Sequence, residues 1–167
     1  MSLFRISGKV EINGKWSEQQ SDFGGYFVRD DQNIIQGYVV DHTARSNNQK
    51  HFIVGIYENA NIVFVKMTPY SDRSPVCFVH LDSAKDGYWD TFFPIGGGFF
   101  ANHTFQGHCS LSIFDDSNSS HAKETESQIH HLFADFMESS ASTTHLGLLE
   151  DVGMLRRFLD GSQTPHD

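Results

Sequence analysis

Apolar positions recur with a period of two over most of this chain and switch to a helical period only near its end. Between residues 4 and 12, Phe4, Ile6, Val10 and Ile12 are apolar while Arg5, Ser7, Lys9 and Glu11 are polar, which is the alternation of a strand with one wet face. Asn13-Gly14 follows. Both central positions of the tightest hairpin turns need positive φ, so this pair predicts a reversal through Lys15 and Trp16. Further strands are predicted at 26–29, 34–41, 76–82, 88–94, 99–105 and 108–114, separated by breaks rich in Asp, Asn, Gly and Pro. Gly37 and Gly55 fall inside strands and suggest bulges or coiling points where a sheet curls toward closure.

The densest stretch is 51–67, HFIVGIYENANIVFVKM. Two runs of Ile, Val, Phe and Tyr flank Glu58-Asn59-Ala60-Asn61, the pattern of an antiparallel hairpin, and Lys66 is the single ionised side chain inside either run. Both faces of this hairpin are mostly apolar, so it belongs at the covered centre of a larger sheet. The connections leave almost no room for the crossover helices that parallel pairing needs, which makes the sheet a meander. A meander this long curls or closes and so hides its edges.

Beyond residue 115 the period changes. Ile129, Leu132, Phe133, Phe136 and Met137 share one face of a helix over 122–139, with Glu124 and Glu126 near its positive end. A small-residue linker at 139–144 precedes a second helix over 145–160, with Leu148, Leu149, Val152, Leu155 and Leu159 on one stripe and Gly161 as C-cap. The predicted fold is therefore mainly β: an antiparallel up-and-down β-barrel of about 8–10 strands with two C-terminal α-helices. Residues 1–116 form the barrel and 117–167 a helical extension packed on or beside it, within one domain.

Charge narrows the partners. Twelve basic against 21 acidic side chains give a net charge of −9, which repels phosphate backbones and anionic lipid surfaces and argues against nucleic acid or membrane as partner. No window approaches the roughly 18 unbroken apolar residues of a membrane-spanning helix. The N-terminal residues lack the apolar run of a signal peptide, so the expected location is cytoplasmic, with Cys77 and Cys109 reduced. The two cysteines fall on strands separated by two others, and no disulfide is expected between them.

The ten histidines raise the question of a metal, with His80, His103 and His108 on late strands and Cys109 beside the last. A zinc site is usually announced by a close pair such as CxxC or HExxH, and neither occurs, so no metal and no cofactor is expected. Gly96-Gly97-Gly98 runs into Phe99-Phe100 instead of a helix start or a Lys-Ser/Thr pair, and reads as a hairpin loop, not a phosphate cradle. There is no GxSxG, and no catalytic residue is assigned. Asp82 and Asp90 stand as a carboxylate pair across the 83–87 turn. What recurs along successive strands is aromatic. Tyr26, Tyr38, Tyr57, Phe64, Trp89 and Phe105, with Lys66, His80 and His103 as polar partners, are the candidate ligand-binding set for a barrel interior.

The meander, Gly14-Lys15-Trp16 near its start and the helix after it together resemble the calycin group: lipocalins, avidins and fatty-acid-binding proteins. The resemblance covers residues 3–139 in architecture and the Gly-x-Trp tripeptide in motif. In lipocalins that tripeptide lies on the first barrel strand, and the resemblance implies a structural role for Trp16, packed across a barrel end. The chain departs from the lipocalin pattern in the strand ahead of Gly14, in lacking a later Thr-Asp-Tyr-type motif and in its second helix.

These features point first to non-catalytic binding of a small, largely apolar molecule in a barrel cavity. An alternative is a protein–protein interaction module working through the C-terminal helices, which would also make those helices a homodimer interface. A third is a small barrel enzyme, an isomerase or hydrolase, using His80, His103 and a carboxylate.

Overall fold

The computed structural model describes residues 1–42, 49–67, 75–95, 98–138 and 152–160, with the backbone alone for 92–95 and 98–106. Nine strands appear in chain order: β1 (Ser2–Ile12), β2 (Lys15–Trp16), β3 (Phe23–Arg29), β4 (Ile34–Asp41), β5 (Lys50–Glu58), β6 (Asn61–Met67), β7 (Val76–His80), β8 (Gly87–Ile95) and β9 (Gly98–Asp115). Each pairs antiparallel with its neighbours, and β9 returns to β1 from Phe4↔Asp115 to Val10↔Cys109. Eight strands thus close into an up-and-down barrel, and the short β2 hangs on the end of β1.

Local chemistry sets the turns. Asn13 and Gly14 have φ of 53° and 77°, and Asn59 and Ala60 have φ of 53° and 63°, so both predicted hairpins close through two left-handed residues. Between β3 and β4 the Asp30 carboxylate accepts from the backbone N–H groups of Gln32 and Ile34.

The predicted strands at 99–105 and 108–114 are one continuous strand. Its pairing with β8 jumps from Asp90↔Gln106 to Thr91↔Asn102, so an irregularity inside the strand absorbs what looked like a break. Gly107 is required there by close approach, not by a turn: a Cβ at that position would lie 2.2 Å from the Glu11 carbonyl oxygen and 2.5 Å from Trp89 Nε1. No register shift accompanies Gly37 or Gly55, so neither is a bulge; at each the backbone of the neighbouring strand comes close.

The wall has two apolar faces. Inside, Phe4, Phe23, Phe27, Ile35, Ile53, Phe64 and Phe78 form the barrel core. Outside, α1 (Ala122–Glu138) lays Ile129 and Phe136 on the sheet, with Phe136 stacked on Phe52 at 5.1 Å. A 3₁₀ turn (Val152–Leu155) and α2 (Arg156–Leu159) complete that cover with Leu155 and Phe158 against Val54, Val63, Val65 and Val79. The hairpin of β5 and β6 is apolar on both faces because it stands between the barrel core and the helices. Residues 145–151 of the expected second helix lie outside the described residues. No helix among the described residues is long and apolar enough to cross a membrane.

Candidate functional site

The barrel centre is filled. Phe4 stacks on Phe27 at 5.2 Å, Phe64 on Phe78 at 4.9 Å, and Phe23 lies 5.4 Å from Phe78. Space remains at the two ends.

The larger opening, about 460 Å³, lies above Phe23 and Phe78. Its existence follows from how the chain leaves the edge of β1. β2 pairs for only two residues, and the chain then swings away until Phe23 rejoins the ladder at Gly8. In the gap the Asp22 carboxylate accepts from the Val10 backbone N–H at 2.8 Å, and the Asp22 N–H donates to the Gly8 carbonyl at 2.7 Å. A side chain thus replaces a missing strand partner. The excursion adds Ser17 and Gln19 to a wall made by Val10, Ile12 and Trp16. Ile12 is 54% exposed and Trp16 36%, both unusually wet for large apolar side chains beside a cavity.

Polar groups converge on one side. Asp41 is the last residue of β4 and Lys66 sits near the end of β6, both pointing inward and both lining the opening. Lys66 Nζ donates to Asp41 Oδ1 at 3.1 Å and lies 6.0 Å from the Phe23 ring centroid. His51, on β5 opposite Val39, is 5% exposed and places Nε2 3.1 Å from Asp41 Oδ2. Burial by itself would raise the Asp41 pKa, but the hydrogen bond from His51 and the charge of Lys66 outweigh it and hold the carboxyl at about 2, against an ordinary 3.8.

The sign of the resulting linkage is fixed. A depressed carboxyl stabilises the fold above its ordinary pKa, and that contribution is lost as pH falls from about 4 through about 2. After allowance for partial solvent screening it is worth about 1–2 kcal/mol. Urea denaturation at stepped pH should therefore show Asp41→Asn less stable than the parent at about pH 5, with the gap closing toward about pH 2. A gap that stays constant over that range would show that Asp41 is not held this way.

The other opening, about 330 Å³, is lined by Tyr57, Ile62, His80, Leu111 and Ile113 with Asp82 and Lys85 at the rim. His80 Nε2 lies 3.4 Å from the Ala84 carbonyl oxygen, and Arg29 packs its guanidinium over Phe4 and Tyr57.

The expected ligand-binding residues therefore do not meet in one place. Phe64 is part of the central core, Lys66 belongs to the larger opening, and Tyr57 and His80 belong to the smaller one. Trp89 faces inward and donates from Nε1 to the Glu11 carbonyl at 2.8 Å, which stitches β8 to β1 across Gly107. Tyr26 and Tyr38 lie on the outer wall, clustered with Leu3, Val28 and Ile129 of α1, because their parity on β3 and β4 is opposite to that of Phe27 and Val39. The side chains of His103 and Phe105 lie outside the described residues. Trp16 is at a barrel end, on the rim of an open mouth.

Asp82 and Asp90 do not face each other. Asp82 is exposed in the turn, with its N–H donating to Asn61 Oδ1, whereas Asp90 pairs with Cys77 and is fully buried. Cys77 points outward beneath the helices and Cys109 into the barrel, both as free thiols. Burial first, then nearby Asp90 and Cys109, pushes the Cys77 pKa up, partly offset by Arg157. Burial and Asp86 raise Cys109 to about 12. Neither thiol is a nucleophile in this state. No group of His, Cys, Asp and Glu among the described residues is arranged to hold a metal.

Asp41, His51, Phe23 and Phe78 are the site residues that reading the sequence did not single out. Lys66 was the available signal: an ionised side chain in an otherwise apolar inner run requires a counter-charge at the same depth. No protein-family model, curated protein or solved structure matches this chain.

Proposed function

We propose that this protein is a non-catalytic binder of a small, largely apolar molecule, held in the larger barrel mouth and not along the barrel axis. The observation that carries the reading is the opening of about 460 Å³ between Trp16, Ile12 and Val10 on one side and Phe23 and Phe78 below, with Lys66 and Asp41 as its polar anchors. Concave sites in this size range, apolar with a few converging polar groups, are how small-molecule binding is commonly built. The phenylalanines packed below the mouth exclude a long chain threaded through the interior, so the ligand is compact. Placement of the chain in the calycin group belongs to this proposal. The closed up-and-down barrel of eight strands supports it, and the position of Lys15 and Trp16 on β2, outside the ring of eight, with Gly14 in the turn before it, departs from the lipocalin arrangement.

The helical alternative finds less support. The α1 stripe of Ile129, Leu132, Phe133 and Phe136 packs against the barrel, leaving Met137 as its exposed apolar residue. The enzyme reading, built on His80, His103 and a carboxylate, finds less support: His80 shares the smaller opening with Asp82, but its Nε2 lies 3.4 Å from the Ala84 carbonyl oxygen and no hydrogen bond between the two side chains appears among the described residues.

The test uses Trp16 as reporter. Titration of the full chain with a small hydrophobic fluorophore should quench Trp16 emission by energy transfer, and Val10→Trp, which fills the mouth, should weaken binding by at least about ten-fold. Native mass spectrometry of freshly purified protein should show a retained small mass. Absence of any saturable binding, together with a bare mass, would sink the reading.

A further inference from the structure

From the charges and donors at the larger mouth, and resting on the reading just given, we infer that the ligand is an uncharged, ring-bearing molecule whose polar end is a hydrogen-bond acceptor of the carbonyl type. Among the described residues the ionised groups lining the opening are Lys15 and Lys66 against Asp22 and Asp41, two charges of each sign. Asp22 is engaged by the Val10 N–H and Asp41 by Lys66 and His51. Both Asp41 oxygens are thus engaged by Lys66 and His51, so a ligand donor placed beside Lys66 would have to compete with the protein's own bonds.

Lys66 is different. An ammonium has three N–H donors, and among the described residues Asp41 is its only acceptor, through both oxygens at 3.1 and 3.4 Å. Among the described residues that leaves one donor of an ammonium that lines the opening, 6.0 Å from the Phe23 ring centroid. That donor asks for an acceptor. An anionic acceptor would bring a charge with no counter-charge of its own, because Asp41 already neutralises Lys66 and the whole chain carries a net −9. A cationic ligand would meet Lys66 at the deepest polar point. A neutral carbonyl oxygen takes the free N–H without disturbing the pair. The rest of the wall includes the indole of Trp16 and the tilted rings of Phe23 and Phe78, surfaces suited to flat rings, beside aliphatic Val10 and Ile12, and Ser17 and Gln19 add uncharged polar groups.

Three probes of one shape separate the possibilities: naphthalene, acetylnaphthalene and naphthoate, titrated by calorimetry into the full chain near neutral pH. The ketone should bind about ten- to a hundred-fold tighter than the hydrocarbon, which is the gain expected of one hydrogen bond to a charged donor. It should bind at least about ten-fold tighter than the carboxylate, whose added charge the mouth leaves uncompensated. Lys66→Met should erase the preference for the ketone over naphthalene. Naphthoate binding as well as or better than the ketone overturns the inference, as does a ketone no better than naphthalene; in both cases the binding reading stands. Failure of all three probes overturns both. The comparison among probes needs only the parent protein, so it holds even if Lys66→Met folds poorly.

Discussion

Phe158→Ala is expected to lower the stability of the entire barrel by about 3–5 kcal/mol, a large part of the roughly 5–15 kcal/mol that holds a domain of this size together. Phe158 belongs to a helix of four residues, far too short to exist without tertiary contacts. The side chain is nevertheless only 2% exposed, and with the fully buried Leu155 it is packed into the same cluster as Val54, Val63, Val65, Cys77 and Val79 on the outer faces of β5, β6 and β7. Two neighbouring arginines add polar attachment. Arg156 donates to the Glu58 carboxylate at the end of β5, and Arg157 lies close enough to Cys77 to act on its thiol, as does buried Asp90. The half-exposed Arg156 contributes less, and Arg156→Ala should cost only about 0.5–1 kcal/mol. Urea denaturation followed by circular dichroism decides it: a single shifted transition for Phe158→Ala means that the C-terminal turn shares the barrel's cooperative unit. An unchanged midpoint would mean that it is a detachable strap, as the small-residue linker at 139–144 suggests.

The strand order was legible because each β-element carries its own local instruction. Alternation in β1, the Asn-Gly and Asn-Ala turns and the absence of crossover-length connections leave an antiparallel meander as the one economical solution. Closure was legible too, since so long a sheet has no other way to lose its edges. The orientation of individual side chains was not. On β3 to β7 both faces are apolar, one toward the core and one toward the helices, so hydrophobicity cannot say which parity faces inward. That ambiguity assigned Tyr26 and Tyr38 to the interior, when α1 covers both from outside. The mouth was hidden for a different reason. Asp41 and His51 stand at strand ends, where charge usually marks solvent, and only the β4–β5 register brings them together beneath Lys66. Asp22, in a polar stretch that reads as an ordinary loop, completes the β1 ladder through its side chain, a substitution visible only once the backbone path is known.

Gly55→Ala should destabilise the protein by more than about 3 kcal/mol, out of proportion to the single methyl group it adds. Gly55 faces Phe64 across the β5–β6 ladder, and its backbone needs no left-handed conformation. The demand is for space: a Cβ there would lie 2.0 Å from the Val63 carbonyl oxygen and 2.6 Å from the Phe64 Cα. Both obstacles are main chain, so no rotamer change relieves them, and the two strands must part at this point of the ladder. Gly37 repeats the arrangement against β3, where a Cβ would meet the Tyr26 carbonyl oxygen at 2.1 Å. Gly14 provides the contrast. Its φ of 77° is left-handed but a Cβ there meets nothing within 4 Å, so Gly14→Ala should cost only the backbone penalty of about 1 kcal/mol. Chemical denaturation of the two variants beside the parent separates crowding from backbone strain. If Gly55→Ala proves no worse than Gly14→Ala, the β5 and β6 backbones do not approach so closely at this position.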